Sequence, residues 1–198
     1  MESMAIAKRL EAAFPDEVLR SYSYHGQTGV VVRSSRIVDM LRWLRDTPDL
    51  RLNHLRSLCG VDNARRKEPG LSRFEVVYNL YSVPLRHEIR IRAEVDDQSP
   101  VIDSVVALWP GANWLERETY DLLGIHFTNH PDLRRVLLPD DWEGHPLRKD
   151  YPLKGKGEWT GMTELLAAVK ELDRHGFQAG GVRAAENPGR PRKQEEGA

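Results

Sequence analysis

Two neighbouring segments alternate apolar and polar side chains along their length, and this pattern constrains the fold more than any other feature. Residues 87–95, HEIRIRAEV, carry an apolar side chain at every second position from Ile89 onward, and residues 74–83 show the same period of two. Because successive side chains of a strand point to opposite faces of a sheet, both segments are predicted to be strands. One face is apolar and the other polar, so we predict an antiparallel pair with one face in water.

The rest of the chain adds three predicted strands and five predicted helices. The strands are Val18–Tyr24, Val30–Arg33 and Leu55–Val61, and the helices are Ser3–Phe14, a helix capped by Ser34 or Ser35 that runs to Thr47, Asp103–Leu108, Ala112–Leu123 and Thr160–His175. Gly124 is a typical helix stop. These elements predict an α+β fold: a two-layer sandwich with an antiparallel-dominated sheet, helices on one face, and an irregular, extended C-terminal arm.

Composition divides the chain into three predicted parts. Residues 1–125 contain most of the periodic segments and are predicted to form the α+β body. Residues 126–178 are irregular and interrupted by prolines before a terminal helix, which predicts an extended docking arm. Residues 179–198 contain almost no apolar side chains to bury, so they are predicted to be a disordered tail.

The bulk composition excludes several classes of protein. A net charge of −1 over 198 residues gives no general attraction to nucleic acid. Cys59 is the single cysteine, so this chain alone holds neither a disulfide nor a cysteine-ligated cluster, and its apolar neighbours predict an inert, buried thiol. No segment reaches the roughly 18–20 consecutive apolar residues that a membrane-spanning helix needs.

Residues 113–153 mix charge and apolar surface to an unusual degree. They contain eight acidic side chains, five basic ones and four prolines, with large apolar residues between them. A solvated charged segment would lack the apolar side chains, and a catalytic pocket does not need so long a stretch. The mixture is typical of a chain that lies along another protein and binds it through ion pairs and apolar anchors.

The spacing of the charged residues in this region gives little support to chemistry. Glu116 and Glu118 stand two apart on the predicted helix and point to different sides, so they would not share a substrate. Arg117 and Asp121 stand four apart and are predicted to pair along the helix. The GKG sequence at residues 155–157 lacks the preceding strand and the following Ser or Thr of a phosphate-binding loop. We therefore predict no catalytic, cofactor-binding or metal-binding residue in this chain.

The sequence from the fourth predicted helix onward resembles a known family. Residues 116–124 read ERETYDLLG. The likeness continues at His130, Arg134, Val136 and Leu137 and through residues 144–153, GHPLRKDYPL. This pattern closely resembles the 30 kDa subunit of respiratory complex I, known as the C subunit in the bacterial proton-translocating NADH:quinone oxidoreductase. Leu123 stands where many members have an aromatic residue, a difference that concerns packing.

The resemblance implies a cofactor-free scaffold subunit in the hydrophilic arm of that complex, which passes electrons from NADH to quinone. FMN and the iron–sulfur clusters would belong to partner subunits, and this chain would be non-catalytic. It would dock on the 49-kilodalton subunit, named D, beside the cluster-bearing B and I subunits. It would be peripheral, on the cytoplasmic side of the cell (inner) membrane. The D partner is expected to be a separate polypeptide, because its domain does not follow in this sequence.

The resemblance also implies which residues face the partner. The predicted interface residues are Glu116, Arg117, Glu118, Asp121, His130, Arg134, Arg135, His145, Arg148, Lys149, Asp150 and Tyr151. Two alternatives stay open: a homologous subunit of a ferredoxin- or coenzyme F420-dependent quinone reductase or membrane-bound hydrogenase, and a free-standing soluble enzyme or binding module. The proteins that purify with the chain would distinguish them.

Overall fold

The two alternating segments lie side by side in a five-stranded sheet, as their pattern predicts. The computed structural model describes residues 2–66, 70–156 and 161–174. Its strands are β1 Val18–Tyr24, β2 Gln27–Arg33, β3 His54–Asp62, β4 Phe74–Ser82, β5 His87–Val95, β6 Val101–Asp103 and β7 His126–Thr128. Its helices are α1 Ser3–Ala13, α2 Ile37–Asp46, α3 Ala112–Leu123 and α4 Met162–Arg174.

The sheet has the strand order β1-β2-β5-β4-β3. Neighbouring strands run antiparallel except β2 and β5, which are parallel. In the β4–β5 pair, Tyr78 lies opposite Ile91 and Asn79 lies opposite Arg90, so apolar side chains share one face and polar side chains share the other. A small second sheet pairs β6 with β7 in parallel. The prediction of an antiparallel-dominated α+β fold is confirmed.

The main core lies between the apolar face of the sheet and the helices. α1 contributes Ile6 and Leu10, α2 contributes Met40 and Leu41, and all four are fully buried in one cluster with the alternate side chains of β2, β4 and β5. Burying a large aliphatic side chain contributes about 1.5–3 kcal/mol. The alternation that predicts the strands therefore also supplies the surface that holds the helices.

α3 packs against the edge strand β3 where the strand carries a glycine. A Cβ atom at Gly60 would lie 2.5 Å from Leu123 Cδ1 and 2.7 Å from Thr119 Cγ2, so the missing side chain lets the helix approach closely. Leu58 and Gly60 face the helices, and Cys59 between them points to the opposite face and is exposed. The prediction of a buried thiol is wrong because the alternation of the strand, rather than the apolar neighbours, decides the exposure of Cys59.

The start of α2 also differs from its prediction. Arg36 precedes the helix, and no side chain caps the first turn. Ser35 instead donates its hydroxyl to the Glu17 carboxylate at 2.6 Å. The Ser35 hydroxyl is therefore bound to a residue 18 positions away and does not cap the helix. Sequence patterns alone do not reveal such a distant partner.

The predicted helix over residues 103–108 is absent from the structure. Val101–Asp103 pairs as β6 with β7, and a single turn follows in which the Leu108 N–H bonds to the Val105 carbonyl at 2.9 Å. The pairing with β7 overrides the weak helical preference of this short segment, as tertiary contacts commonly do.

Contacts within the chain divide it into two compact units. The first ends at Lys156 and includes residues 126–156, the beginning of the predicted arm. The second contains α4, the predicted terminal helix, whose Leu165 and Leu166 side chains are exposed. The predicted tail, residues 179–198, lies outside the described residues. Within the described ranges, no helix has the length and apolar character that a membrane crossing requires.

The close approach of α3 to β3 gives a test of this packing. We expect Gly60→Val to lower the free energy of unfolding by about 1–3 kcal/mol, because the new side chain must displace Leu123 and Thr119. Urea denaturation of the purified chain would measure the change. Gly111→Ala is the control, since a Cβ there meets nothing within 4 Å, and it should change the stability by less than about 0.5 kcal/mol.

Candidate functional site

α3 turns most of its charged side chains toward the rest of the protein. Glu116, Arg117 and Asp121 are buried, whereas Glu118 is exposed. With 3.6 residues per turn, positions 117 and 121 share one side of the helix and position 118 projects from another. A buried charge without partners costs several kcal/mol, so the contacts of these three groups determine what surrounds the helix.

The Asp121 carboxylate anchors a length of irregular chain, residues 130–151, which we call the wrapping segment. Its Oδ1 accepts a hydrogen bond from Arg135 Nη1 at 2.7 Å, and its Oδ2 accepts the backbone N–H groups of Val136, Leu137 and Leu138 at 2.8–3.0 Å. Desolvation would raise the pKa of Asp121, but these donors outweigh it and hold the pKa below its ordinary value. The carboxylate is therefore ionised at neutral pH although it is fully buried.

Arg117 holds the same segment through backbone carbonyls. Its Nε donates to the Arg134 carbonyl at 3.1 Å and its Nη2 donates to the Arg135 carbonyl at 3.2 Å. The guanidinium also lies 4.8 Å from the ring centre of Trp114. The predicted ion pair between Arg117 and Asp121 is wrong. Asp121 pairs with Arg135 instead, and Arg117 donates to backbone carbonyls of the wrapping segment.

Arg148 caps the C-terminal end of α3. The last carbonyls of a helix have no partner within the helix, and Arg148 Nε donates to the Leu123 carbonyl at 2.6 Å. A cation there also complements the negative end of the helix dipole. Gly124 ends the helix with φ +70°, and a Cβ on it would lie 2.5 Å from the His145 ring and 2.6 Å from Arg148 Nη2. Glycine is therefore required both by the backbone angle and by the space.

His145 adds a second bond to the end of the helix. Its Nδ1 lies 2.9 Å from the Asp121 carbonyl, which can only accept, so Nδ1 carries the proton. Desolvation lowers the pKa of His145, helped by the nearby guanidinium of Arg148. The ring is therefore neutral at pH 7 and acts here as a fixed hydrogen-bond donor.

The end of the wrapping segment is fastened to the sheet. Asp62, at the end of β3, accepts the backbone N–H of Lys149 at 2.8 Å, and Asp150 pairs with Arg73 at 2.6 Å. Desolvation would raise the pKa of Asp62, but the N–H groups of Lys149 and Ala64 and the side chain of Arg73 lower it. Residues 149–150 thus connect the far end of the segment to the start of β4.

Glu116 and His130 form a buried contact on another side of α3. Glu116 Oε1 accepts the Val105 N–H at 2.7 Å, and Oε2 lies 3.9 Å from His130 Nε2 with both side chains fully buried. Desolvation raises the pKa of Glu116 to about 7, although the bonds from Ser104 and Val105 oppose the rise. Desolvation also lowers the pKa of His130, whose Nδ1 accepts the Asp132 N–H. Burial therefore disfavours the charged form of both groups.

The structure assigns the predicted interface residues different surroundings. Glu116, Arg117, Asp121 and the side chain of His130 are buried; Arg135, His145, Arg148 and Tyr151 are partly buried; Glu118, Arg134, Lys149 and Asp150 are exposed. The contacts of the first two groups explain the fold of this chain. That any of the twelve also touches a partner stays a prediction, and the exposed four have the most accessible surface.

Large apolar side chains are exposed on α3 and on the wrapping segment. Trp114 is 62% exposed, Leu137 is 61% exposed and Leu147 is 52% exposed. None of the three was predicted as an interface residue. Each of them stands beside charged residues or prolines, which is the pattern that marked this region. Which of its apolar side chains face water depends on how α3 and the wrapping segment pack, and the sequence does not show this.

Two further anchors of the wrapping segment also went unpredicted. Asp62 and Arg73 hold residues 149 and 150, and Asp62 lies 87 positions before Lys149. Arg73 also belongs to a stack, in which the guanidinium groups of Arg73 and Arg148 lie 4.8 Å and 5.1 Å from the ring centre of Phe74. No local pattern joins residues so far apart in the sequence.

Comparison with known proteins identifies the family. The sequence pattern described as "Respiratory-chain NADH dehydrogenase, 30 Kd subunit" matches residues 30–157, which includes most of the sheet, α3 and the wrapping segment. The chain belongs to this family. The resemblance read from the ERETYDLLG and GHPLRKDYPL motifs is thereby confirmed.

Curated relatives within this family cover most of the chain. The C subunit of the NADH-quinone oxidoreductase of Roseiflexus sp. (strain RS-1) is 52% identical over 153 residues, which span 77% of this chain and 86% of the relative. The protein of the same name from Geobacter sulfurreducens is 46% identical over 147 residues, spanning 74% and 88%. Alignments of this length are too long to rest on α3 and the wrapping segment alone.

Two solved structures share the fold. A trypsin-resistant fragment of Nqo5, residues 1–134, aligns with a TM-score of 0.59 and 29% identity and covers 67% of this chain and all of the fragment. A chain of the membrane-bound sulfane sulfur reductase, an archaeal respiratory membrane complex, aligns with a TM-score of 0.60 and 21% identity, covering 90% and 96%. The second likeness concerns the fold alone.

The Asp121 anchor predicts a large effect from a small chemical change. Asp121→Asn removes the negative charge that four donors surround, and we expect it to lower the free energy of unfolding by about 2–4 kcal/mol. Hydrogen exchange at the amides of residues 136–138 should rise more than exchange in β4 and β5. Asp132→Asn is the control, because its exposed pair with Arg134 contributes less than about 1 kcal/mol. Unchanged exchange at 136–138 in Asp121→Asn would contradict the anchoring role.

Glu116 predicts a distinct dependence of stability on pH. Its pKa of about 7 in the folded protein exceeds the ordinary 4.5, so the folded state holds a proton that the unfolded state releases between these values. Its contribution is fully present below pH 4.5 and is lost as the pH rises through about 7. A rise of the pKa from 4.5 to about 7 corresponds to roughly 3 kcal/mol at most, at about 1.36 kcal/mol per pH unit.

Glu116→Gln tests this prediction, because the amide keeps an acceptor for the Val105 N–H and does not titrate. We expect the stability of the wild type to fall relative to that of Glu116→Gln across this pH range, measured by urea denaturation at several pH values. Glu118→Gln, exposed on the same helix, should track the wild type. A constant difference between wild type and Glu116→Gln from pH 5 to 8 would show that Glu116 keeps the ordinary pKa of 4.5 in the folded protein.

Proposed function

We propose that this chain is the cofactor-free scaffold subunit of a proton-translocating NADH:quinone oxidoreductase, and that it docks on the 49-kilodalton D subunit through α3 and the wrapping segment. The observation that carries the proposal is the contrast between the inside and the outside of this region. Most of its buried ionisable groups are engaged by contacts within the chain, while Trp114, Leu137 and Leu147 stand in water. Exposed apolar residues on a rigid support are typical of a protein interface.

The rigidity of the wrapping segment favours binding. Asp121, Arg117, Arg148 and Asp62 hold it at intervals along its length. A segment that is already ordered loses little conformational freedom when a partner covers it, so more of the contact energy becomes affinity. The N–H of Leu137 donates to the Asp121 carboxylate, and the N–H of Leu147 donates to the Leu122 carbonyl. Both side chains therefore project from a backbone that is held in place.

The chemistry of the region supports a positional role. Among residues 2–66, 70–156 and 161–174, no group of His, Cys, Asp and Glu side chains is arranged to hold a metal ion. Glu116 and His130, whose pKa values are both shifted by burial, lie buried against each other, away from the exposed side of the helix. In this proposal the subunit fixes the geometry of its neighbours, and electron transfer runs through FMN and iron–sulfur clusters that partner subunits hold.

Family membership supports the wider setting that we propose. The chain would sit in the hydrophilic arm with the D subunit and the neighbouring B and I subunits, on the cytoplasmic side of the cell (inner) membrane. It would reach the membrane through these partners. The curated relatives favour NADH as the electron source over the ferredoxin- and F420-dependent alternatives, and dependence of the purified complex on NADH would test that choice.

A double variant of the exposed apolar residues tests the docking proposal. We expect Leu137→Ser with Leu147→Ser to leave the thermal midpoint of the isolated chain within a few degrees, because both side chains are already in water. In cells that carry only this variant, assembled complex on a native gel should fall severalfold, and NADH:quinone reductase activity per assembled complex should stay at the wild-type value.

Two outcomes would contradict the proposal. Full assembly of the double variant would show that these side chains do not dock, and full assembly with slow turnover would point to a direct catalytic role. Val83→Ser is the matched control, since Val83 is 58% exposed on the turn between β4 and β5, and it should assemble normally.

A further inference from the structure

The face of the five-stranded sheet that points away from the helices carries a concentration of arginine. The strand alternation puts Cys59, Val77 and Arg92 in one row across β3, β4 and β5, and Ser57, Asn79 and Arg90 in the next row. Leu58 and Gly60, which alternate with these positions, face the helices. This surface is therefore on the opposite side of the sheet from α3.

A hollow of about 260 Å³ lies in this face. Its described walls are Tyr22, Cys59, Val61, Arg66, Val77, Asn79, Arg90 and Arg92. Three guanidinium groups and no carboxylate stand among these described residues. An arginine-lined hollow of this kind attracts anionic groups, and the planar fork of N–H donors fits a carboxylate particularly well.

The arginines are positioned by contacts that leave donors to spare. Arg92 donates through Nε at 3.1 Å and Nη2 at 2.5 Å to the buried Glu75 carboxylate. Arg90 donates its Nε to Asn79 Oδ1 at 2.8 Å, and Asn79 in turn donates to Ser57 Oγ at 2.8 Å. Arg92 also bonds to the side chain of Tyr22. These bonds fix both side chains and still leave several of the N–H groups of the two guanidiniums for a ligand.

Apolar surface lies between the guanidinium groups. The ring of Tyr22 covers Gly29 so closely that a Cβ there would lie 2.3 Å from the ring, and Arg92 lies 5.8 Å from the centre of the same ring. Val77 and Val61 complete the apolar part of the wall. A small inorganic anion would leave this apolar surface uncovered. A peptide with acidic and apolar side chains would bind the guanidinium groups and cover the apolar surface as well.

A second hollow of about 220 Å³ adjoins the first and shares Asn79 and Arg90 with it. Its walls also include Gln27, Arg56 and Glu88, and the last two form an ion pair that cancels their charges. The free positive charge of the two hollows therefore comes from Arg66 and Arg90. Together the walls of the two hollows, which we call the groove, include residues of all five strands. Two adjoining hollows suit a stretch of polypeptide better than a compact ligand.

We propose that this groove binds an acidic segment of a partner protein, whose carboxylates are held by Arg66 and Arg90 and whose apolar side chains rest on Tyr22 and Val77. This surface is distinct from the docking surface on α3 and the wrapping segment, because the sheet separates them. The chain would then contact proteins on both of its faces, and the two contacts can fail independently.

Binding of a synthetic peptide tests the chemistry of the groove. The probe is a ten-residue peptide of alternating Glu and Leu, titrated against the purified full chain by fluorescence anisotropy. We expect saturable binding that weakens as salt rises, and at least a tenfold higher Kd for the double variant Arg66→Gln with Arg90→Gln. The double variant Arg36→Gln with Arg42→Gln, whose exposed side chains lie beside Asp39 at α2, is the charge-matched control and should leave the Kd unchanged.

Several outcomes of this titration would overturn the proposal. They are the absence of saturable binding, an equal Kd for the double variant and the control, and displacement of the peptide by inorganic phosphate at equal concentration. Because Arg90 also holds Asn79, the single variant Arg66→Gln is measured as well and should raise the Kd by a smaller factor with an unchanged thermal midpoint.

The lone cysteine allows the groove to be examined in the native complex. Cys59 lines the hollow and is exposed, so a maleimide should label it in the purified chain. Desolvation raises the pKa of the thiol, so the free chain and the complex are compared at the same alkaline pH, where the thiolate fraction is larger than at neutral pH. In membranes that contain the assembled complex, we expect labelling of Cys59 to be at least tenfold slower than in the free chain.

Equal labelling rates in the free chain and in the assembled complex would overturn the proposal. That result would show that the groove stays exposed to solvent in the complex. It would not contradict the docking of α3, because the native gel measures assembly separately. Failure of the proposed function would be recognised separately. A chain that never enters the complex contradicts the scaffold role, and the peptide titration on the purified chain still tests the groove.

Discussion

One buried carboxylate holds the wrapping segment in place. Asp121 sits inside the contact between α3 and the wrapping segment, and it stays ionised because Arg135 and the N–H groups of residues 136–138 converge on it. The irregular chain has no strand or helix to satisfy these N–H groups, so the carboxylate takes the place of secondary structure. Arg117, on the same helix, holds the preceding carbonyls in the same way.

The fold was largely predictable because its signals are local. The alternation in residues 74–83 and 87–95 reflects a sheet with one apolar face, and the helices follow from apolar residues at helical spacing and from Gly124. The errors at Ser35 and at residues 103–108 share a cause. In each, a partner far along the chain, Glu17 or β7, outweighs a weak local preference.

The candidate site was predictable in its location and not in its contacts. The charged and apolar mixture of residues 113–153 indicated a surface of special chemistry, but it could not show that Asp121 faces inward and Trp114 outward. That depends on how α3 is rotated against β3, and Gly60 sets this by allowing Leu123 and Thr119 to sit over the strand. Exposure of Cys59 follows from the same register, one residue away.

The bond from the Lys149 N–H to Asp62 spans 87 positions and has a consequence for how the protein is made. Bringing residues so distant together costs loop-closure entropy, which the sheet reduces once it has brought the intervening chain together. During synthesis the sheet and α3 emerge before residue 149, so we expect the wrapping segment to close onto them last. The surface that α3 and this segment form together would then be complete only in a finished chain.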